Sequence, residues 1–144
     1  MSLQIFLQPV VALILWTLVI WCWLYATRIP AMNKAHVHPQ SAQSPRGDWR
    51  QKLPDNVNWV ADNYNHLHEQ PTVFYALMGT IALTGLQSSA ALSLAWAYVG
   101  FRILHSLAQI LGNRVIVRFT CFALASLALI ALAAPLFFCT SLFV

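Results

Sequence analysis

The sequence predicts an all-α integral membrane protein, a four-helix bundle with a long cytoplasmic loop between helices one and two, and three observations predict it. Hydrophobic residues make up 59% of the chain and charged residues 8%, against about 25% charged in an ordinary soluble domain. Every Lys, Arg, Asp and Glu lies between Arg28 and Arg118, so the first 27 and the last 26 residues carry no charged side chain. The apolar stretches each run about 20 to 25 residues, the length at which a helix crosses a hydrocarbon layer of about 30 Å with its backbone satisfied internally.

The first span is expected over residues 3–27, stopping at Arg28 and Pro30. It lacks the basic leading region of a secretion signal, and Trp16, Trp21, Trp23 and Tyr25 thicken its far end as an interfacial belt, so it is read as a retained span. Residues 28–56 hold Pro39, Pro45, Pro54 and Gly47 among polar residues with no period, which reads as a polar loop. The second helix is expected over 57–86, entered through an Asp or Asn cap near Asp55 to Asn58 and polar through Glu69. Pro71 falls inside it and predicts a kink. Gln87, Ser88 and Ser89 make a turn, a third span follows over 90–111, Gly112 and Asn113 turn the chain, and the fourth runs over 114–138. The whole chain, 1–144, reads as a single domain.

Arg28, Lys34, Arg46, Arg50 and Lys52 all fall in the first connection, whereas the Gln87 turn and both termini carry no charged side chain. The positive-inside bias therefore places the long loop in the cytoplasm and both termini on the other side. The basic residues form no run or exposed stripe, which argues against a nucleic-acid partner. Cys22, Cys121 and Cys139 are scattered among apolar residues, and His36 and His38 sit beside Pro39 in the loop. The cysteines lack metal-ligand spacing, and the two histidines, which could bind a metal, more often do nothing in such a flexible segment, so no metal is expected.

Chemistry is expected where polar residues penetrate the spans. Asp62, Asn65, His66 and Glu69 recur at helical spacing on one face, and Arg102, His105 and Gln109 do the same on the third span. Charges at depth do not face lipid cheaply. The economical arrangement buries Glu69 opposite Arg102, with His105, Asn65 and His66 nearby. Arg114 and Arg118, four apart at the start of the fourth span, add a basic mouth suited to an anionic ligand.

At these residues the chain resembles the family of membrane-associated proteins in eicosanoid and glutathione metabolism. The likeness runs through Asn65-His-Leu-His-Glu69-Gln-Pro71-Thr-Val-Phe74-Tyr75, then Arg102-Ile-Leu-His105-Ser106, then Gly112-Asn-Arg114 and Arg118. The resemblance implies a homotrimer in membrane lipid, of the bacterial inner-membrane type, with glutathione bound between neighbouring subunits. It implies that Asn65, His66 and Glu69 hold the peptide with Arg102 and His105, that Arg118 stabilises the thiolate with Arg114 nearby, and that Arg28 reaches toward a neighbour's site. Asp62, Asn65 and His66 stand where the family usually carries arginine, arginine and asparagine, and Gln109 stands where a tyrosine is frequent. The implied activity is a glutathione-dependent transferase or peroxidase acting on a lipophilic small molecule. The alternatives are a non-enzymatic trimeric scaffold or lipid-binding module on the same fold, and, more narrowly, a lipid isomerase with His105 as base.

Overall fold

The computed structural model describes residues 1–43 and 47–138; Pro45 and Arg46 of the loop, and Cys139, lie outside the described residues. The described chain is helical, in the order α1 (Leu3–Lys34), α2 (Asp55–His66), α3 (Gln70–Thr84), α4 (Ser89–Leu111) and α5 (Val115–Phe138), with two short 3-10 turns, Pro39–Gln43 and Asp48–Lys52, between α1 and α2.

α1 overruns its expected end by two turns. Its 32 residues reach about 48 Å at about 1.5 Å per residue, longer than the hydrocarbon layer. Pro30 falls near the C-terminus, where it removes a single ladder bond, to the Ala26 carbonyl. Thr27 Oγ1 reinforces the same stretch by donating to the Trp23 carbonyl at 2.9 Å. Lys34 lies in the last turn, where a cation complements the helix dipole. Phe6, Leu13 and Ile20 are fully buried. Their spacing of seven keeps one seam against the bundle, while Leu15, Leu18 and Val19 face outward.

The connection after α1 is not structureless. Val37, Trp49 and Leu53 bury themselves against Ala31, Met32 and Ala35, and the Arg28 guanidinium lies 4.9 Å from the centre of the Trp49 ring. Trp49 is thus part of a small core rather than the interfacial anchor its position suggests. Arg50 Nη2 donates to Asp62 Oδ1 at 2.7 Å, and Asn58 Nδ2 donates to the Arg50 carbonyl at 3.0 Å. Together these fasten the loop to α2.

The second helix is broken in two, a sharper outcome than the expected kink. α2 stops at His66 and α3 starts at Gln70, with Pro71 in its first turn. A proline there has no N–H to offer the Leu67 carbonyl and its ring crowds that carbonyl, so the ladder of α2 cannot continue. At the start of α2 the cap residue is Pro54, with no side-chain cap, and Asp55 sits in the first turn instead. Gly85, at φ 74°, closes α3 in the left-handed conformation that glycine tolerates. Ser88 caps α4 by accepting from the Ala91 N–H at 3.1 Å.

Among the described residues three helices, α1, α4 and α5, are long and apolar enough to cross a membrane. The 15 residues of α3 reach only about 22 Å. The core joins Phe74, Met78 and Ile81 of α3 to Ala95, Tyr98 and Val99 of α4, to Ala125, Leu129 and Leu132 of α5, and to the α1 seam. Phe74 stacks on Tyr98 with ring centres 4.5 Å apart.

Below that core lies a polar clasp between α2 and α4. Asn63, Ser106 and Gln109 are all buried. Ser106 Oγ donates to Asn63 Oδ1 at 2.5 Å and Asn63 Nδ2 donates to Gln109 Oε1 at 3.2 Å. Asn63→Leu leaves a hydroxyl and an amide oxygen without partners in dry surroundings. It is expected to lower stability by about 2 kcal/mol, and Ser106→Ala by about 1 kcal/mol, in detergent unfolding curves. Equal stability of Asn63→Leu and wild type would show the clasp to be dispensable.

Candidate functional site

The break between α2 and α3, the last turn of α4 and the first turns of α5 meet at the loop-side end of the bundle. They enclose a polar cavity of about 350 Å³ lined by Trp59, Asp62, Asn65, His66, Glu69, Gln109, Asn113 and Arg118. Thus the α2 face drawn from its spacing does converge on one cavity, and Arg118 reaches it from α5.

Glu69 is not the buried carboxylate expected. Its side chain is 64% exposed and its Oε2 lies 2.8 Å from His66 Nδ1. The expected pairing with Arg102 does not form. Arg102 is buried and donates through Nη2 to the His66 carbonyl at 2.7 Å. The reason is the chain break: the turn after His66 rotates Glu69 away from the line of α2, and the His66 carbonyl, which accepts only a long bond from the Glu69 N–H at 3.4 Å, takes the guanidinium in its place. Arg102 Nε and Nη1 have no hydrogen-bond partner among the described residues, and the guanidinium carbon lies 5.8 Å from the centre of the Phe122 ring.

His105 is buried in α4, with its ring centre 5.7 Å from that of His66. Its Nδ1 lies 2.8 Å from the Arg118 carbonyl. A carbonyl only accepts, so Nδ1 carries the proton and the lone pair of the neutral ring is on Nε2. Arg118 Nη1 donates to Asn113 Oδ1, which holds the guanidinium at the α4–α5 turn.

A second cavity, about 360 Å³ and mostly apolar, adjoins the first. Val115, Phe119 and Phe122 of α5 line it with His105, His66 and Arg118. His66 and Arg118 belong to both walls.

Three expected site residues lie elsewhere, and Arg102, buried behind the His66 carbonyl, lines neither cavity. Arg114 lines a separate apolar groove with Leu104, Leu107, Ala108, Leu111, Gly112 and Val117. Arg28 is engaged with Trp49 and lines neither cavity.

The sequence model of the MAPEG family matches residues 6–138. The chain belongs to the MAPEG family. No curated protein and no solved structure matches it. With three helices able to cross a membrane, this MAPEG chain is an integral membrane protein of a family in glutathione and eicosanoid metabolism. Within this MAPEG chain, Asn63, Trp59, Ser106 and Asn113 carry parts of the site or its support that the sequence alone does not assign to them. A signal for Asn63 was present: Val57, Val60, Asn63 and Leu67 recur at helical spacing, and all four are buried. An amide in such an apolar stripe requires a partner across the interface.

Proposed function

We propose that this MAPEG protein is a membrane-bound, glutathione-dependent transferase or peroxidase-like enzyme that brings a water-borne thiol and a lipid-borne electrophile together at Arg118. The observation that carries this reading is the pair of adjoining cavities, one polar and one apolar, with His66 and Arg118 in both walls. A polar volume of about 350 Å³ falls within the size range of small-molecule sites.

Bound glutathione supplies the sulfur nucleophile. Arg118, fixed by Asn113, sits where it favours the thiolate over the thiol. His66 and Glu69 wall the peptide side, and Gln109 is held by the clasp below. Phe119 and Phe122 receive the lipophilic substrate from the membrane. The sulfur–carbon bond forms as the leaving group departs with its electron pair, and the thiol proton passes to water in the open polar cavity.

The reading extends to assembly and placement. α2 and α3 together make the second of four membrane passages, the subunits form a homotrimer, and the exposed side of the polar cavity meets a neighbour. The loop lies in the cytoplasm, with both termini across a bacterial inner membrane. Excess positive charge in the loop supports that orientation.

Purified protein in detergent is expected to conjugate glutathione to a chlorinated dinitrobenzene above the uncatalysed rate. Glutathione is also expected to alter the fluorescence of Trp59, which lines the polar cavity. The wholly buried clasp of Asn63, Ser106 and Gln109 favours a second reading, a non-enzymatic trimeric scaffold or lipid-binding module in which the polar residues only pack helices. Absence of both conjugation and fluorescence response in folded protein would select that second reading.

A further inference from the structure

The polar cavity carries the wrong balance of charge for a thiol with two carboxylates. Among the residues lining it, Asp62 and Glu69 are acidic and Arg118 alone is a guanidinium. The other arginines nearby are committed elsewhere. Arg50 is paired with Asp62 at 2.7 Å, Arg102 is buried against the His66 carbonyl, Arg114 lines a different groove, and Arg28 lies on Trp49.

Each acid keeps an oxygen for a ligand. Arg50 engages Asp62 Oδ1 and His66 approaches Glu69 Oε2, so Oδ2 and Oε1 remain as acceptors. Both carboxylates belong to the same wall, on α2 and the turn that follows it. Gln109 is also oriented. Because its Oε1 accepts from Asn63, its amide nitrogen is the group left to donate, which suits a peptide carbonyl or a single carboxylate oxygen.

We infer that the cavity takes a zwitterionic aminothiol, with its ammonium against the Asp62 and Glu69 wall, its sulfur toward Arg118, and at most one carboxylate. A second carboxylate would meet the Glu69 carboxylate and an Asp62 already balanced by Arg50, with no guanidinium but Arg118 among the described residues lining the cavity, a repulsion that favours the thiol of lower negative charge. The inference rests on the reading of this cavity as a thiol site. It narrows the thiol class from glutathione itself to peptides or amines of lower negative charge.

The test compares two probes that differ in one carboxylate, glutathione and its glycyl monoethyl ester, titrated into the purified protein with Trp59 fluorescence as readout. The ester is expected to bind about tenfold more tightly, and Asp62→Asn to shrink the preference to about threefold or less. Glu69→Gln gives an independent second variant, with the same direction expected. The N-acetylated ester, which lacks the ammonium, is expected to bind more weakly than the ester. Equal or tighter binding of glutathione over its ester overturns this inference and leaves the thiol-transferase reading standing. Binding of neither probe overturns both.

Discussion

Arg118→Leu is expected to reduce the rate of thiol conjugation at pH 7 by about 10- to 30-fold while leaving the assembly intact. The magnitude follows from the thiol. A free thiol with a pKa of about 8.5 is only about 3% ionised at pH 7, and an adjacent cation in a poorly solvated cleft lowers that pKa by about one to two units. The favoured species is the anion, so the cation raises the rate at neutral pH and ceases to matter once solution pH ionises the thiol unaided. Wild-type activity should therefore level off at a lower pH than the variant's, and the two profiles should converge near pH 9. Arg118→Lys keeps a positive charge but loses the fork that Asn113 orients, so an intermediate rate is expected. Folding is protected because the contact of Arg118 with His105 runs through its backbone carbonyl, which substitution preserves. Parallel pH profiles with an unchanged rate at pH 7 would remove Arg118 from the chemistry.

The parts of the structure that were legible in the sequence are those governed by one period in one solvent. α4 carries Arg102, His105, Ser106 and Gln109 on a continuous helix, and all four are buried on the face that meets α2 and α5. α5 needed only an apolar stretch after the Asn113 turn, where Asn113 adopts φ 47°. What failed was the extension of one helical phase into the break that Pro71 imposes ahead of itself. Asp62, Asn65 and His66 keep their shared face because α2 is unbroken to His66. Glu69 lies beyond the break, so its predicted depth and its pairing with Arg102 did not follow.

The loop was misread for a different reason. Val37, Trp49 and Leu53 are too far apart to show a period, and each is apolar amid polar neighbours, yet they close a core with the overrunning end of α1. Arg28 shows the consequence. A cation at the end of a span reads as an interfacial or site residue until the chain after it is known to fold back and place Trp49 beneath it.

Arg102 separates the enzyme from the scaffold more cleanly than any other position, through a substitution expected to damage function without damaging stability. The side chain is 1% exposed. Against that desolvation it makes one charge-assisted hydrogen bond, to the His66 carbonyl, and lies over Phe122. Burying an ion costs several kcal/mol, and replacing a whole buried ion pair with apolar side chains of similar volume is often neutral or stabilising by about 1–4 kcal/mol. Arg102 has no acid within ion-pair distance among the described residues to be left behind. Arg102→Met, which fills much of the same volume, is therefore expected to leave thermal stability unchanged or raised by about 1–2 kcal/mol after loss of the His66 hydrogen bond. The functional effect has the opposite sign. Without the guanidinium the last carbonyl of α2 keeps only the long contact from the Glu69 N–H at 3.4 Å, and His66 with Glu69 loses its fixed place in the cavity wall. Displacing such positioning groups by about 1 Å costs up to about 100-fold in rate, so conjugation is expected to fall about 10- to 100-fold. A buried cation retained at a stability cost has its explanation in the site it holds. Were Arg102→Met instead to lose about 3 kcal/mol or more of stability, with ligand binding lost only through unfolding, Arg102 would be a helix pin and the scaffold reading would prevail.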